Sequence, residues 1–247
     1  MLRIAFIVAL GGFLMGFDAS VISGVLGPVG SRFGLTEFEL GWLVACLALT
    51  SSFAMLGAGV FSDAFGRRRT LQIAAALYLL SAVASALAPS YSALVLARML
   101  GGLGVGAALI VAPLYIAELA PAKDRGRLVS INQLNIVVGI SAAFFSNFVI
   151  AQLFADAPEG VGFPPWRWML GVEALPALAY LLGLGAVPES PRWLKLRGEG
   201  DKAFAILSAT AGEAEARTAL EHIAPAEPQG LRIMLRRLLD PALRPVL

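Results

Sequence analysis

Cysteine and histidine are almost missing from the sequence, which has one of each in 247 residues, Cys46 and His222. A single cysteine cannot close a disulfide within the chain. One cysteine with one histidine cannot supply the ligands of a zinc site either. The sequence therefore predicts no disulfide framework and no metal centre.

Charged residues are also scarce, and they are unevenly distributed. They make up 15% of the chain and apolar residues make up 58%, whereas about a quarter of a soluble domain is charged. Residues 1–187 hold 19 charged side chains, and residues 188–247 hold 17. A net charge of +2 without a large basic block excludes nucleic acid as a partner. The composition excludes a soluble enzyme and predicts a membrane part, residues 1–187, followed by a polar part, residues 188–247.

Six apolar stretches are long enough to span a lipid bilayer, which takes about 20 residues of helix. They cover residues 4–30, 39–62, 70–89, 92–117, 128–154 and 166–187. The predicted fold class is an all-α membrane protein with a six-helix transmembrane bundle. The polar part alternates charged and apolar residues at helical spacing, which predicts short amphipathic helices on the cytoplasmic face. The alternative for this part is a loosely ordered linker, because its apolar stripes are narrow.

Positive charges cluster in alternate loops between the predicted spans. The clusters are Arg67–Arg69, then Lys123, Arg125 and Arg127, and finally Arg192, Lys195 and Arg197. Loops rich in Lys and Arg stay in the cytoplasm. The prediction is a multi-pass protein of the cell (inner) membrane with both termini in the cytoplasm.

Three ionisable residues fall inside the predicted spans: Asp18 in the first, Arg98 in the fourth and Glu173 in the sixth. Each costs about 2.5–3.5 kcal/mol to insert, and intramembrane charges usually have a function. We predict a proton site in which a carboxylate pairs with Arg98 until protonation removes its charge. The alternative is a fixed ion pair that only holds the helices together.

A cluster of glycines follows Arg98 within the same apolar run, at positions 101, 102, 104 and 106. No strand precedes these glycines, which excludes a dinucleotide-binding loop, and no cofactor is expected. Glycines spaced in this way allow a second helix to approach closely, as do Gly12 and Gly16 in the first span.

Five motifs follow one another along the chain. They are Gly11–Gly24; Gly59-x-x-x-Asp63-x-x-Gly66-Arg67-Arg68; the stretch from Arg98 to Gly126; Asn132-Gln133-x-x-Ile136-x-x-Gly139; and Pro188-Glu189-Ser190-Pro191-Arg192-Trp193-Leu194. Together and in this order they resemble the sugar porter family of the major facilitator superfamily. The resemblance extends from residue 11 to the last residue.

The resemblance implies roles for residues in the spans. Asp18 looks like the proton-coupling acid of bacterial proton–sugar symporters, and Arg98 and Glu173 match its partners. Gln133 matches a ligand of sugar hydroxyls, because an amide offers both a donor and an acceptor. The alternative role of Gln133 is to hydrogen-bond to a neighbouring helix and stabilise helix packing. Met15 and Ile140 depart from the family pattern, so the sugar is left open.

The resemblance also implies a cytoplasmic charge network that closes an inner gate when its members pair. Its members are Asp63, Arg67, Arg68, Glu118, Arg125, Glu189 and Arg192. The alternative is a solvated face that only sets the topology, because exposed ion pairs are individually weak.

Family members have twelve spans, and their substrate site lies between two six-span halves. The chain is therefore expected to be the N-terminal half of a proton–sugar symporter that needs a second half. The partners implied are a monosaccharide, protons and the lipid bilayer. Two alternatives are a passive sugar uniporter and a six-span partner or regulator that does not transport. An enzyme is not expected, because no nucleophile–base pair occurs within the spans.

Overall fold

The computed structural model describes residues 2–120, 124–154, 163–221 and 223. Within these ranges the chain forms helices and short connections, with no strand. The helices are α1 (Leu2–Val21), α2 (Leu26–Phe33), α3 (Glu37–Phe65), α4 (Arg67–Leu87), α5 (Tyr91–Leu119), α6 (Arg125–Leu153), α7 (Pro165–Gly171), α8 (Ala174–Gly185), α9 (Pro191–Leu196), α10 (Gly200–Ala211) and α11 (Glu213–Glu221). The predicted all-α fold class is confirmed.

In the described part of the chain, six helical segments are long and apolar enough to cross a bilayer. They are Arg3–Gly24, Glu37–Phe65, Arg67–Leu87, Tyr91–Leu119, Gly126–Leu153 and Pro165–Gly185. Each of them overlaps one predicted span. The six-helix transmembrane bundle is therefore confirmed, although two of its spans are interrupted.

The first span is interrupted after Val21, where α1 ends and Ile22–Gly24 form a 3₁₀ turn. Pro28, early in α2, has no N–H to donate to the carbonyl of the residue four positions earlier, so the α-helical ladder cannot continue through this point. The side-chain amide of Asn147 on α6 donates to the carbonyl of Val21 at 2.9 Å. The continuous helix expected over residues 4–30 is thus divided.

The sixth span is interrupted between α7 and α8, at Val172 and Glu173. Pro176 cannot donate to the carbonyl of Val172, and this carbonyl accepts a bond from the N–H of Leu175 at 3.1 Å instead. Glu173 is the last residue before α8 begins. Its carboxyl group is therefore attached where the helical hydrogen bonds are interrupted, although Val172 and Glu173 keep α-helical dihedral angles.

Helix α5 occupies the centre of the bundle. α3 and α4 pack along it, and α1 packs against both α5 and α6. The contact between α1 and α6 depends on two glycines: a Cβ on Gly16 would overlap the carbonyl of Ile136, and a Cβ on Gly139 would overlap the carbonyl of Phe13. The backbones can approach this closely because neither glycine has a side chain.

Large apolar side chains cover the outside of the bundle. Phe53, Leu134, Phe145 and Phe148 are each at least 60% exposed. A soluble protein rarely leaves so much apolar surface in contact with water. This surface fits the lipid bilayer that the composition predicts.

The polar part of the chain folds into three short helices as far as Glu221. α9 begins with Pro191, and the Ser190 hydroxyl caps it by accepting the N–H of Trp193 at 3.3 Å. α10 and α11 pack against each other with Ala203 and Ala216 buried. These helices agree with the predicted amphipathic pattern. His222 and residues 224–247, the remainder of the predicted amphipathic pattern, lie outside the described residues.

Candidate functional site

The centre of the bundle contains a buried ion pair between α1 and α5. A guanidinium nitrogen of Arg98 donates to Oδ1 of Asp18, and both side chains are 2% exposed. The same guanidinium also lies 3.4 Å from the backbone carbonyl of Asp18. Removing Arg98 would leave the Asp18 carboxyl group buried without its cation, which is unfavourable.

Glu173 completes a group of three buried charged residues. Its side chain is 4% exposed, and its carboxylate is close enough to interact electrostatically with Asp18 and Arg98. Its Oε1 has no hydrogen-bond partner among the described residues. The three residues predicted for proton coupling therefore lie together, with Arg98 bonded to Asp18. Their role in coupling stays a prediction.

Five neutral polar residues are also buried within the bundle. They are Tyr78 and Ser85 on α4, Asn132 and Asn135 on α6, and Tyr180 on α8. Each of these residues has a buried side-chain polar atom without a hydrogen-bond partner in the described part of the chain. The sequence could have indicated the residues on α4, because hydroxyl residues recur there at helical spacing in a predicted span without charge.

Gln133 lies on α6, and its side chain is exposed at the surface of the bundle. Its neighbour Asn132 faces inward, where its backbone and side-chain oxygens lie 2.7 and 2.9 Å from the position of a Cβ on Gly12. Of these two neighbouring amides, Asn132 therefore faces inward, while Gln133 is accessible from outside this bundle. The role of Gln133 in binding sugar stays a prediction.

A network of charges joins α3, α4, α5 and the start of α9 at one end of the bundle. Arg67 donates to both carboxylate oxygens of Glu118, each at 3.0 Å, and forms an ion pair with Asp63 at 2.6 Å. The Ser190 hydroxyl donates to Glu118 at 2.5 Å. The side chains of Arg67 and Glu118 are almost fully buried. Water therefore screens their ion pair less than it screens a pair on the surface.

Glu189 connects the chain after α8 to the first turn of α4. Its Oε1 accepts the backbone N–H groups of Arg67, Arg68 and Ser190 at 2.9, 3.1 and 2.8 Å. A helix N-terminus favours a negative charge, because its first N–H groups have no partner within the helix. Gly66 has φ +96°, and a Cβ there would overlap the Glu189 carboxylate.

The other predicted members of the network are placed differently. Arg68 donates to the carbonyls of Leu184 and Gly185 at 3.0 and 2.7 Å. Arg192 is exposed and forms no ion pair within the described ranges. The side chain of Arg125 lies outside the described part of the structure. Asp63, Arg67, Glu118 and Glu189 therefore lie together in the network, and Arg68 joins them only through its backbone N–H, which donates to Glu189.

Six spanning helices around a buried ion pair, with a charge network at one end, define a membrane transporter bundle of the major facilitator type. Residues 4–237 match the family described as "Sugar (and other) transporter", and the chain belongs to this family. The resemblance to sugar porters is thereby confirmed, and the family to which the chain belongs is one of transporters.

Two curated relatives and one solved structure illustrate the similarity. Over 90% of its own length, the chain is 41% identical to the glucose transport protein of Synechocystis sp.. Over 87% of its own length, it is 38% identical to the arabinose-proton symporter of Bacillus subtilis. It is 35% identical to the xylose transporter XylE from E. coli, with a TM-score of 0.82 over 90% of this chain and 56% of that one. The aligned region covers 50% and 46% of the two curated relatives, so the chain spans about half their length.

Proposed function

We propose that the chain is the N-terminal half of a carrier that moves a monosaccharide across the membrane together with a proton. The observation on which this depends is the buried pair of Asp18 and Arg98, with Glu173 beside it. An acid paired with a cation in low dielectric is a group whose charge changes when it binds one proton. Such a change alters the packing of the helices that hold the two partners.

The relatives support both parts of the proposal. One is named a glucose transport protein and another an arabinose-proton symporter. They indicate a sugar as the substrate class and a proton as the coupling ion.

Proton binding at Asp18 would act through Arg98. Protonation removes the charge of the carboxylate, and the guanidinium then has Glu173 as its nearest remaining acid. Because Asp18 lies on α1 and Arg98 on α5, loss of the pair weakens the contact between these helices. The opposite change restores it when the proton leaves. This supplies a two-state element whose balance depends on one proton.

The sugar would bind where this half meets a second six-span half, because substrates of such carriers bind near the midplane between repeats. Gln133 would be a ligand there, since its amide is exposed at the surface of the bundle. Residues 1–187 would form the transmembrane half, and residues 188–247 would lead to the second half. Both termini and the charge network would face the cytoplasm, as the positive loops indicate.

The charge network would act as the inner gate. Arg67 and Glu118 tie α4 to α5, and Glu189 ties the segment after α8 to the start of α4. While these bonds exist, the end of the bundle is held together. Their separation would let the cytoplasmic side open.

The test is sugar uptake into proteoliposomes that contain this chain assembled with a second six-span half. Symport predicts that sugar accumulates against its gradient, that an uncoupler abolishes this, and that sugar addition makes the outside medium alkaline. Downhill uptake without proton movement would identify a passive uniporter. No uptake with a second half that is functional in its own carrier would favour a non-transporting partner or regulator.

A further inference from the structure

An apolar groove of about 730 Å³ opens on the outside of the bundle, where the ends of α4 and α6 meet α7 and the start of α8. Its volume falls within the range of about 300–1,000 Å³ that is usual for sites that hold a small molecule. Leu87, Leu153 and Leu175 line it, and each is at least 60% exposed. The groove is therefore a shaped apolar surface outside the packed core.

Small residues create the space inside the groove. Ala86, Gly171 and Ala174 line it together with the leucines. A Cβ on Gly171 of α7 would contact the Cβ of Ala86 on α4 at 3.2 Å, so the two helices lie close together at this point. A larger side chain at position 174 would project into space that the small residues leave open.

The groove lies at the end of the bundle opposite the charge network. Helix α4 begins in that network at Arg67 and ends beside the groove at Leu87, and its 21 residues correspond to a length of about 30 Å. This length matches the hydrocarbon core of a bilayer. Because the charge network is proposed to face the cytoplasm, the groove would face the outer leaflet.

The groove also faces away from the proposed second half. Gln133, the proposed sugar ligand, and two residues that line the groove, Ile150 and Leu153, all belong to α6. At 3.6 residues per turn, the direction midway between Ile150 and Leu153 lies about 130° around the helix axis from Gln133. A second half that meets Gln133 would leave the groove in contact with the bilayer.

Arg167, in the first turn of α7, is the charged side chain among the described residues that line the groove. Two of its nitrogens donate to the carbonyls of Ala86 and Ala88 at 2.7 and 2.8 Å. Its guanidinium carbon lies 4.6 Å from the ring centre of Trp166 and 5.5 Å from that of Phe163. The bonds and the two rings hold the guanidinium at the edge of the groove.

The guanidinium of Arg167 has donors beyond those bonds. Arginine carries five N–H groups, and the two bonds to carbonyls use two of them. In the ranges that the structure describes, no carboxylate forms an ion pair with Arg167. A phosphate group matches this arrangement, because it carries the opposite charge and accepts several N–H bonds at once.

The order of polar and apolar groups along the groove follows the depth of the membrane. Trp166 and Trp168 flank Arg167 at the start of the sixth span, and tryptophan is enriched at the level of lipid headgroups. Leu175 lies eight residues after Arg167, which is about 12 Å farther into the span. The groove therefore has its cation at headgroup level and its apolar lining at the level of acyl chains.

We propose that the groove binds one anionic phospholipid, with an acyl chain between α4, α6 and α8 and the phosphate on Arg167. The lipid balances the charge of Arg167 and covers the exposed leucines. Val172 and Ala174, on either side of Glu173, also line the groove. The lipid would thus pack against the outer side of the interruption in the sixth span. The inference goes beyond the proposed function and does not depend on proton coupling.

The test uses the purified chain in detergent, with phosphatidylglycerol as the probe. Native mass spectrometry counts the lipids bound to each chain and gives their Kd. Phosphatidylcholine with the same acyl chains is the comparison, because it has a phosphate but no net charge. We expect one phosphatidylglycerol per chain, bound about tenfold more tightly than phosphatidylcholine, since a hydrogen bond to a charged group contributes that much.

Two substitutions test the two ends of the groove separately. Arg167→Gln is expected to weaken phosphatidylglycerol binding about tenfold and to remove the preference over phosphatidylcholine. Ala174→Phe is expected to weaken binding of both lipids, because the ring fills the apolar part. The controls are Arg32→Gln, which removes an exposed arginine of α2, and Ala48→Phe, which adds the same ring to an exposed position of α3. Neither control is expected to change the Kd.

Three results would overturn the proposal. One is equal binding of the two lipids by the unsubstituted chain. Another is unchanged binding in Ala174→Phe, which leaves the bonds of Arg167 to α4 in place and decides the question even if Arg167→Gln fails to fold. The third is a dimer that Ala174→Phe separates, because a second copy of the chain would then occupy the groove. Failure of sugar uptake or of proton coupling would leave the lipid result unaffected, so the two proposals are tested independently.

Discussion

Arg67 at the start of α4 and Glu118 near the end of α5 bind each other through two hydrogen bonds, both 3.0 Å long. Their side chains are 5% and 6% exposed, whereas Asp63, the other partner of Arg67, is 66% exposed. A buried bidentate pair is specific to arginine, because lysine has no planar fork. This pair is therefore the part of the charge network whose loss is most readily measured.

We expect Arg67→Ala to destabilise the bundle by about 3–5 kcal/mol, because Glu118 then stays buried without its cation. Arg67→Lys should recover only part of this loss. The measurement is thermal or denaturant unfolding of the purified chain in detergent. Arg69→Ala is the control: Arg69 is exposed two positions away, and its loss should change stability by no more than about 0.5 kcal/mol. Equal effects at positions 67 and 69 would contradict the prediction.

Asp18→Asn imitates the protonated acid, since asparagine is neutral and of similar size. In the carrier assembled with its second half, we expect it to abolish accumulation of sugar against a gradient. Exchange of sugar across the membrane should remain, because exchange does not need the proton to leave. Both are measured with labelled sugar in the same vesicles.

Glu173→Gln is the companion variant for Asp18→Asn. If sugar-driven proton uptake persists with Asp18→Asn and disappears with Glu173→Gln, the proton-binding role belongs to Glu173. If sugar-driven proton uptake persists with both variants, neither Asp18 nor Glu173 takes part in proton coupling.

The spans and the buried charges could be predicted from the sequence, because each depends on local composition. Long apolar runs define the helices, and a charge inside such a run stands out at once. The interruptions could be predicted only in part. Pro28 and Pro176 indicate that the helical ladder fails nearby, but the extra bond from Asn147 to the carbonyl of Val21 depends on how α6 lies against α1.

Composition and spacing alone could not decide which acid pairs with Arg98, because Asp18 and Glu173 both lie inside apolar spans. The choice follows from the packing of α1 along α5 and from the break that holds Glu173. The hydroxyls of α4 were overlooked for a related reason. Ser81 and Ser85 are compatible with an apolar helix when they bond to their own backbone, and only the tertiary structure shows that Ser81 faces α5.

The close contact between α1 and α6 predicts that Gly16→Ala prevents normal folding of the bundle. The new Cβ would overlap the backbone carbonyl of Ile136, which cannot rotate away as a side chain could. Overpacking of this kind costs about 1–3 kcal/mol or more. The measurement is the amount of folded chain in the membrane and its unfolding midpoint in detergent.

Gly57→Ala is the matched control for Gly16→Ala, because nothing lies within 4 Å of a Cβ at that position of α3. It should leave the amount of folded chain unchanged or raise it slightly, since alanine favours a helix more than glycine does. If Gly16→Ala and Gly57→Ala reduce the amount of folded chain equally, the loss in Gly16→Ala does not result from the contact between α1 and α6.

Arg98 should matter more than either acid for coupled transport. Asp18→Asn leaves Arg98 with Glu173 as a possible partner, whereas Arg98→Ala leaves two carboxyl groups in low dielectric without a cation. Both desolvation and like charge favour the neutral form of a carboxyl group. The two acids would then keep their protons throughout the cycle and could not release one.

We therefore expect Arg98→Ala to abolish accumulation of sugar over the whole accessible pH range. Arg98→Lys should restore it only partly, because a single ammonium group cannot hold Asp18 as a planar guanidinium does. The measurement is uptake by the assembled carrier at several pH values, with sugar counterflow as the check that each variant is folded. If Arg98→Ala accumulates sugar as the unsubstituted carrier does at every pH, the three charges form a structural bridge. The proton must then bind at another site.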